Sequence, residues 1–177
     1  MKGEDFHEYF RPESINPGEQ EMKLSELIEE KCIAVSLRPA PKEEIIREMV
    51  NLAARSARMI DSDVVYRSAI EREKQGSTGI GGGVAIPHAK SAGVTELVAA
   101  LGICPAGTDF DSKDGGPAYV VFFIEAVPNN PGPHIQALAK IAFLVNKTDF
   151  VETVRKCRTP AEVHQTLKRF ENHLGQI

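Results

Sequence analysis

His88 closes a Val84-Ala85-Ile86-Pro87 run, just after a stretch at 76–83 in which five of eight residues are glycine. A neutral imidazole is a good nucleophile near pH 7 and needs no separate base, unlike a serine. Glycines let successive backbone N–H groups turn toward one point, which suits an anion, and Ser77 and Thr78 add hydroxyl donors. Together these residues suit a phosphoryl group: a histidine to accept it, donors for its equatorial oxygens, and no cofactor. His134 stands 46 residues further on, after Pro133, where a helical pattern begins. A helix N-terminus disfavours an imidazolium and attracts anions. A neutral His134 would hydrogen-bond a phosphoryl oxygen or the His88 ring. Plainer roles stand beside these: a surface loop for the glycines, a structural role for His88, an exposed first turn for His134. His7, His164 and His173 lie in the first segment and the last helical pattern, and read as surface residues.

Other chemistries have thinner support. GxxxxGK[ST] is absent, and the glycines do not open a helix after a strand as a dinucleotide fingerprint requires. Zinc on His88 and His134 lacks a third ligand unless Asp109, Asp111 or Asp114 supplies it. No metal is expected. Cys104 paired with a histidine has no supporting motif.

The elements that must position these residues follow from patterning. Residues 24–30 read as a short helix and 32–37 as a strand ending before Pro39. Residues 42–59 form the clearest helix, with Ile45, Ile46, Met49, Leu52, Ala53 and Ala57 three and four apart. Residues 61–73 predict a second helix, capped by Asp61 or Ser62. Strands follow at 84–87, 97–103 and 119–126, with sheet pairing expected to end near Pro87. Helices at 134–144, 149–156 and 159–172 close the chain, the last with Thr159, Pro160 and Glu162 as a capping box. Strands and helices do not alternate regularly, so a doubly wound parallel sheet is disfavoured. The expected class is α+β: a three-layer α/β/α arrangement with a small mixed β-sheet between helices.

Composition bounds the rest. The chain has 177 residues, 42% apolar and 26% charged, with a net charge of −4. That length suits one domain able to bury a core without staples. The longest apolar run, 118–124, is far too short to span a bilayer, so no direct membrane insertion is expected. The acidic balance argues against nucleic acid. Three scattered cysteines (Cys32, Cys104, Cys157) and no secretory pattern point to the cytoplasm. Residues 1–21 lack a sustained period and read as an N-terminal extension before a domain at 22–177. Phe6, Tyr9 and Phe10 are its candidate docking side chains.

Gly76–Ile80 (GSTGI) followed by Val84–His88 (VAIPH), with Arg72-Glu73-Lys74 before and His134-Ile135-x-x-Leu138 after, resembles the fructose/mannitol-type enzyme IIA domains. Those domains belong to the bacterial phosphoenolpyruvate:sugar phosphotransferase system. The likeness covers about residues 24–170 and is strongest to the nitrogen-regulatory branch. It implies that His88 accepts a phosphoryl group from a small phosphocarrier protein. His134 matches the second active-site histidine and Arg72 the arginine near the phosphoryl group. Ser77, Thr78 and Gly79 would line the pocket, with Ile86 and Pro87 in the phosphorylation signature. The group would pass to a sugar-specific B domain or serve as a regulatory signal. Gly82 replaces a frequent Asn, and Ala89 a frequent Gly. A separately encoded sugar-uptake subunit, or a non-catalytic docking or sensor module of the same fold, is the alternative.

Overall fold

A computed structural model describes residues 22–174. The extension at 1–21, with Phe6, His7, Tyr9 and Phe10, lies outside the described residues, as do residues 175–177.

Six strands form one mixed sheet: β1 (Ile33–Ala34), β2 (Gly79–Gly81), β3 (Val84–Ala85), β4 (His88–Lys90), β5 (Val98–Thr108) and β6 (Ala118–Ala126). Their order is β1-β5-β6-β3-β2, with β4 also paired to β6. β5 and β6 are antiparallel, while β1 joins β5, and β3 and β4 join β6, in parallel. The helices are α1 (Leu24–Leu27), α2 (Lys42–Ala53), α3 (Ser62–Lys74), α4 (Pro131–Lys147), α5 (Phe150–Val154) and α6 (Pro160–Leu174).

β6 divides the core by the two-residue period of a strand. Val120, Phe122 and Ile124 pack with α1, α4, α5 and α6 through Leu24, Ile141, Phe150 and Leu167. Val121 and Phe123 pack on the opposite face with Ile45, Ile46, Met49 and Val50 of α2 and Val65 and Ala69 of α3. Both faces of the sheet are covered, so β6 reads as a continuous apolar run. The three-layer α+β class expected from the element order is the observed one.

Several boundaries move. α2 stops at Ala53, not residue 59. Beyond it the buried Ser56 donates to Glu29 Oε1 (3.0 Å), and Met59 bridges to Val94. α4 opens at Pro131, because both Pro131 and Pro133 lie in a first turn whose N–H groups have no helical partner. Asp61 is the cap of α3, accepting from the N–H groups of Asp63 and Val64. Thr159 Oγ1 accepts from Glu162 N, while Glu162 reaches back to Arg158 N. Among the described residues, no helix is long and apolar enough to cross a membrane.

Candidate functional site

Pro87 does not end the pairing. The offset between β3–β4 and β6 is constant, from Val84↔Val120 and Ala85↔Val121 to His88↔Ile124. Pro87 lacks only a donor. Its carbonyl still accepts from Ile124 N at 3.1 Å, and the strand resumes with His88.

His88 is held through its ring. Its Nδ1 lies 2.7 Å from the Ile86 carbonyl oxygen. A carbonyl only accepts, so Nδ1 carries the proton and the neutral ring keeps its lone pair on Nε2. Burial pushes the His88 pKa below its ordinary value, and the charges of Arg72 and Lys90 push the same way. The Ile86 hydrogen bond and the charge of Glu73 oppose them. The net effect favours the neutral ring.

His134 is the fourth residue of α4 and only 6% exposed. Its ring centroid lies 5.6 Å from that of His88, with the planes inclined at 51°. Burial pushes its pKa down to about 4, helped by the charges of His88, Lys90 and Arg72. His134 is therefore neutral at pH 7, and its Nε2 is buried with no hydrogen-bond partner.

Arg72 sits in the last turn of α3 and donates to the Gly76 carbonyl at 3.1 Å. The glycine stretch that follows is tied down, not open. Gly82 and Gly83 have φ of +62° and +79°, the backbone of a tight two-residue hairpin turn between β2 and β3. Thr78 donates twice to Glu73, from N to Oε1 at 3.0 Å and from Oγ1 to Oε2 at 2.5 Å. Ser77 Oγ donates to the Phe110 carbonyl (2.6 Å) and accepts from Gly79 N (3.1 Å). Gly82 N donates to Asp114 Oδ2 at 2.8 Å. A Cβ at Gly79 would meet Ser112 Oγ and the Phe110 carbonyl at 2.7–2.8 Å. The N–H groups of Thr78, Gly79 and Gly82 and both hydroxyls are thus engaged within the protein. They are internal braces, while the cationic charges that act on His88 are those of Arg72 and Lys90, and the ring that stands beside it is that of His134.

The fold therefore gathers His88, His134 and Arg72 into one electrostatic neighbourhood. Ser77, Thr78 and Gly79 connect to it through the Thr78 carbonyl, which accepts from Ile86 N at 2.9 Å, and Ile86 and Pro87 link β3 to β4 just before His88. The three loop aspartates point elsewhere: Asp111 to Lys42, Asp114 to Gly82 and Gly116, Asp109 to Asp111 N. Cys104 is buried in the α2–α3 core, and its thiol pKa is raised by that burial. His164 is not simply a surface residue: its Nε2 lies 2.8 Å from the Ser25 carbonyl oxygen, tying α6 to α1. Sequence reasoning missed Lys90. The signal was available, since a residue two beyond His88 on a strand shares its face.

The chain matches, over residues 26–170, the family described as "Phosphoenolpyruvate-dependent sugar phosphotransferase system, EIIA 2". It is 36% identical over 141 residues to the fructose-specific EIIABC component of the phosphotransferase system of Bacillus subtilis (strain 168). That match covers 80% of this chain but spans only 22% of the relative's length. It is 26% identical over 151 residues to the nitrogen regulatory protein of Pseudomonas aeruginosa, covering 85% of this chain and 98% of that one. Among solved structures, nitrogen regulatory protein IIA-Ntr from Neisseria meningitidis superposes with a TM-score of 0.73 at 28% identity, covering 81% of this chain and 97% of that one.

Proposed function

Because the chain belongs to the EIIA 2 family of the phosphoenolpyruvate-dependent sugar phosphotransferase system, we propose that it is a phosphohistidine carrier whose acceptor is His88. The observation that carries this is the pair of rings. His88 has its Nδ1 committed to Ile86, and beside it stands a neutral His134 whose buried Nε2 has no partner.

The steps follow from those atoms. The Nε2 lone pair of His88 attacks phosphorus on a phosphorylated donor protein, here the small phosphocarrier. The Nε2–P bond forms as the donor's bond to phosphorus breaks, and the bonding pair leaves with the donor atom. No proton has to leave Nε2 first, because Nδ1 already holds it. Positive charge developing on the ring is met by the Ile86 carbonyl. Negative charge on the equatorial oxygens is met by Arg72 and Lys90, with His134 donating from Nε2. The transfer is positioning and electrostatics, and because a phosphoimidazole is a high-energy group the same path passes the phosphoryl group on to an acceptor.

We take the output to be regulatory, of the nitrogen-regulatory type. An alignment spanning almost all of the Pseudomonas relative supports this. The second reading, a subunit serving a sugar-specific B domain, draws on the higher identity to the fructose component. In either case the protein acts in the cytoplasm. Mixing the purified chain with phosphoenolpyruvate, enzyme I and the phosphocarrier should give an acid-labile, base-stable phosphoprotein, and His88→Ala should give none. Equal labelling of His88→Ala and wild type would move the acceptor to another residue, and a wild type that takes no label would leave a docking module of the same fold.

A further inference from the structure

We propose that Glu73, anchored by Lys42, is a positioning residue that sets the tautomer of His88; this rests on His88 being the acceptor. Glu73 lies one residue beyond Arg72, and its side chain is 8% exposed. Each of its oxygens takes one of the two Thr78 donors. Lys42, from the first turn of α2, reaches Glu73 Oε1 at 3.1 Å and Asp111 Oδ2 at 2.6 Å. It also lies 5.5 Å from the centre of the buried Phe110 ring. Lys42, Glu73 and Asp111, from three separate segments, thus form a chain of ion pairs that ends on the Thr78 N–H and hydroxyl.

From Thr78 the restraint runs directly to the acceptor. The Thr78 carbonyl accepts from Ile86 N at 2.9 Å, and the Ile86 carbonyl accepts from His88 Nδ1 at 2.7 Å. Thr78 and Ile86 are therefore each held at both N–H and C=O. A shift of Thr78 moves Ile86, and a shift of Ile86 loosens the one contact that keeps the proton on Nδ1. A nearly buried ion pair adds little to stability over an apolar replacement, since desolvation offsets its attraction. Its value at this place is geometric. Thr78 is also held on Glu73 instead of reaching toward an incoming phosphoryl oxygen. A rival role for Glu73 follows, as an internal anion that holds the loop back, and it predicts the opposite rate change.

Ring ¹⁵N–¹H correlation spectra of the full chain report which His88 nitrogen is protonated, with no phosphoryl donor present. Near pH 7 the wild type should show a single Nδ1–H tautomer and Glu73→Ala an exchanging mixture. In the coupled phosphorylation assay, Glu73→Ala should lose on the order of tenfold or more in kcat at an unchanged KM for the phosphocarrier. Glu73→Gln, which keeps an oxygen for Thr78, should recover most of the single tautomer, and Lys42→Met should fall between. A folded Glu73→Ala with the wild-type tautomer and rate overturns the proposal, as does one that is phosphorylated faster. Should Glu73→Ala fail to fold, Thr78→Val faces the same two criteria. Absence of phosphorylation in the wild type would overturn the acceptor assignment alone, because the tautomer spectra still decide the role of Glu73.

Discussion

His134 and Glu125 are both buried and polar, and both carry buried atoms with no hydrogen-bond partner. They differ in what surrounds them. His134 comes from α4, on the α1/α4/α5/α6 face, beside His88 and within the influence of Lys90 and Arg72. Glu125 alternates with Ile124 onto the α2–α3 face and is flanked in the sheet by Ala89 and Val98. Burial pushes its carboxyl up to about 7, opposed by the nearby Ser91 hydroxyl. His134 becomes neutral by losing a proton in a cationic setting, which is a setting for an anion. Glu125 becomes neutral only by keeping a proton, and among the described residues no cation acts on it. An unsatisfied buried group therefore needs its electrostatic context before it is read as a site.

The largest expected effect is on chemistry. His134→Leu keeps apolar bulk but removes the donor, and phosphoryl acceptance should fall roughly 10²–10³-fold while urea stability holds or rises. Unchanged labelling would put His134 in the same class as Glu125.

Glu125→Leu should do the reverse. At pH 8 it should stabilise the fold by roughly 3 kcal/mol, from a carboxyl shifted from 4.5 to about 7, and leave phosphoryl acceptance alone. Urea unfolding that matches wild type would show that the carboxylate is not strained in place.

The smallest effect lies in the pH profile of stability. Glu125 has a raised folded-state pKa, so its contribution is complete below 4.5 and is lost as pH rises through about 7. His134 has a depressed one, so its contribution is complete above 6.5 and is lost as pH falls through about 4. The two slopes partly cancel between them. Glu125→Leu should unmask a steeper acid loss and His134→Leu a steeper alkaline loss, both visible in chemical denaturation across pH. Parallel profiles for the two variants would break the contrast.

Much of this molecule was legible beforehand. The apolar periods of α2 and α3, the runs of β5 and β6, and the capping box before α6 placed the layers, because burial on one face or both imprints a period. Arg72, His88 and His134 were legible through the signature around them. The glycines were legible as a loop but misleading as an open anion cradle. Composition records which residues permit N–H groups to converge, not whether a neighbour already takes them. Ser77 and Thr78 face partners at 110 and 73, and the Asp114 that takes Gly82 N is 32 residues away.

By itself the sequence determined the fold class and singled out His88 and His134 as the candidate pair, since those depend on local pattern and a specific signature. Only the tertiary structure decided which nitrogen of His88 holds its proton, that His134 is neutral and unpartnered, that Lys42 and Glu73 brace the loop, and that a carboxyl at 125 lies in an apolar layer. Hydrogen bonding and desolvation are properties of neighbours in space, and here those neighbours come from α2, α3, α4 and the loop between β5 and β6. A linear pattern names the residues that can take part; packing decides which of them meet and what charge each can carry.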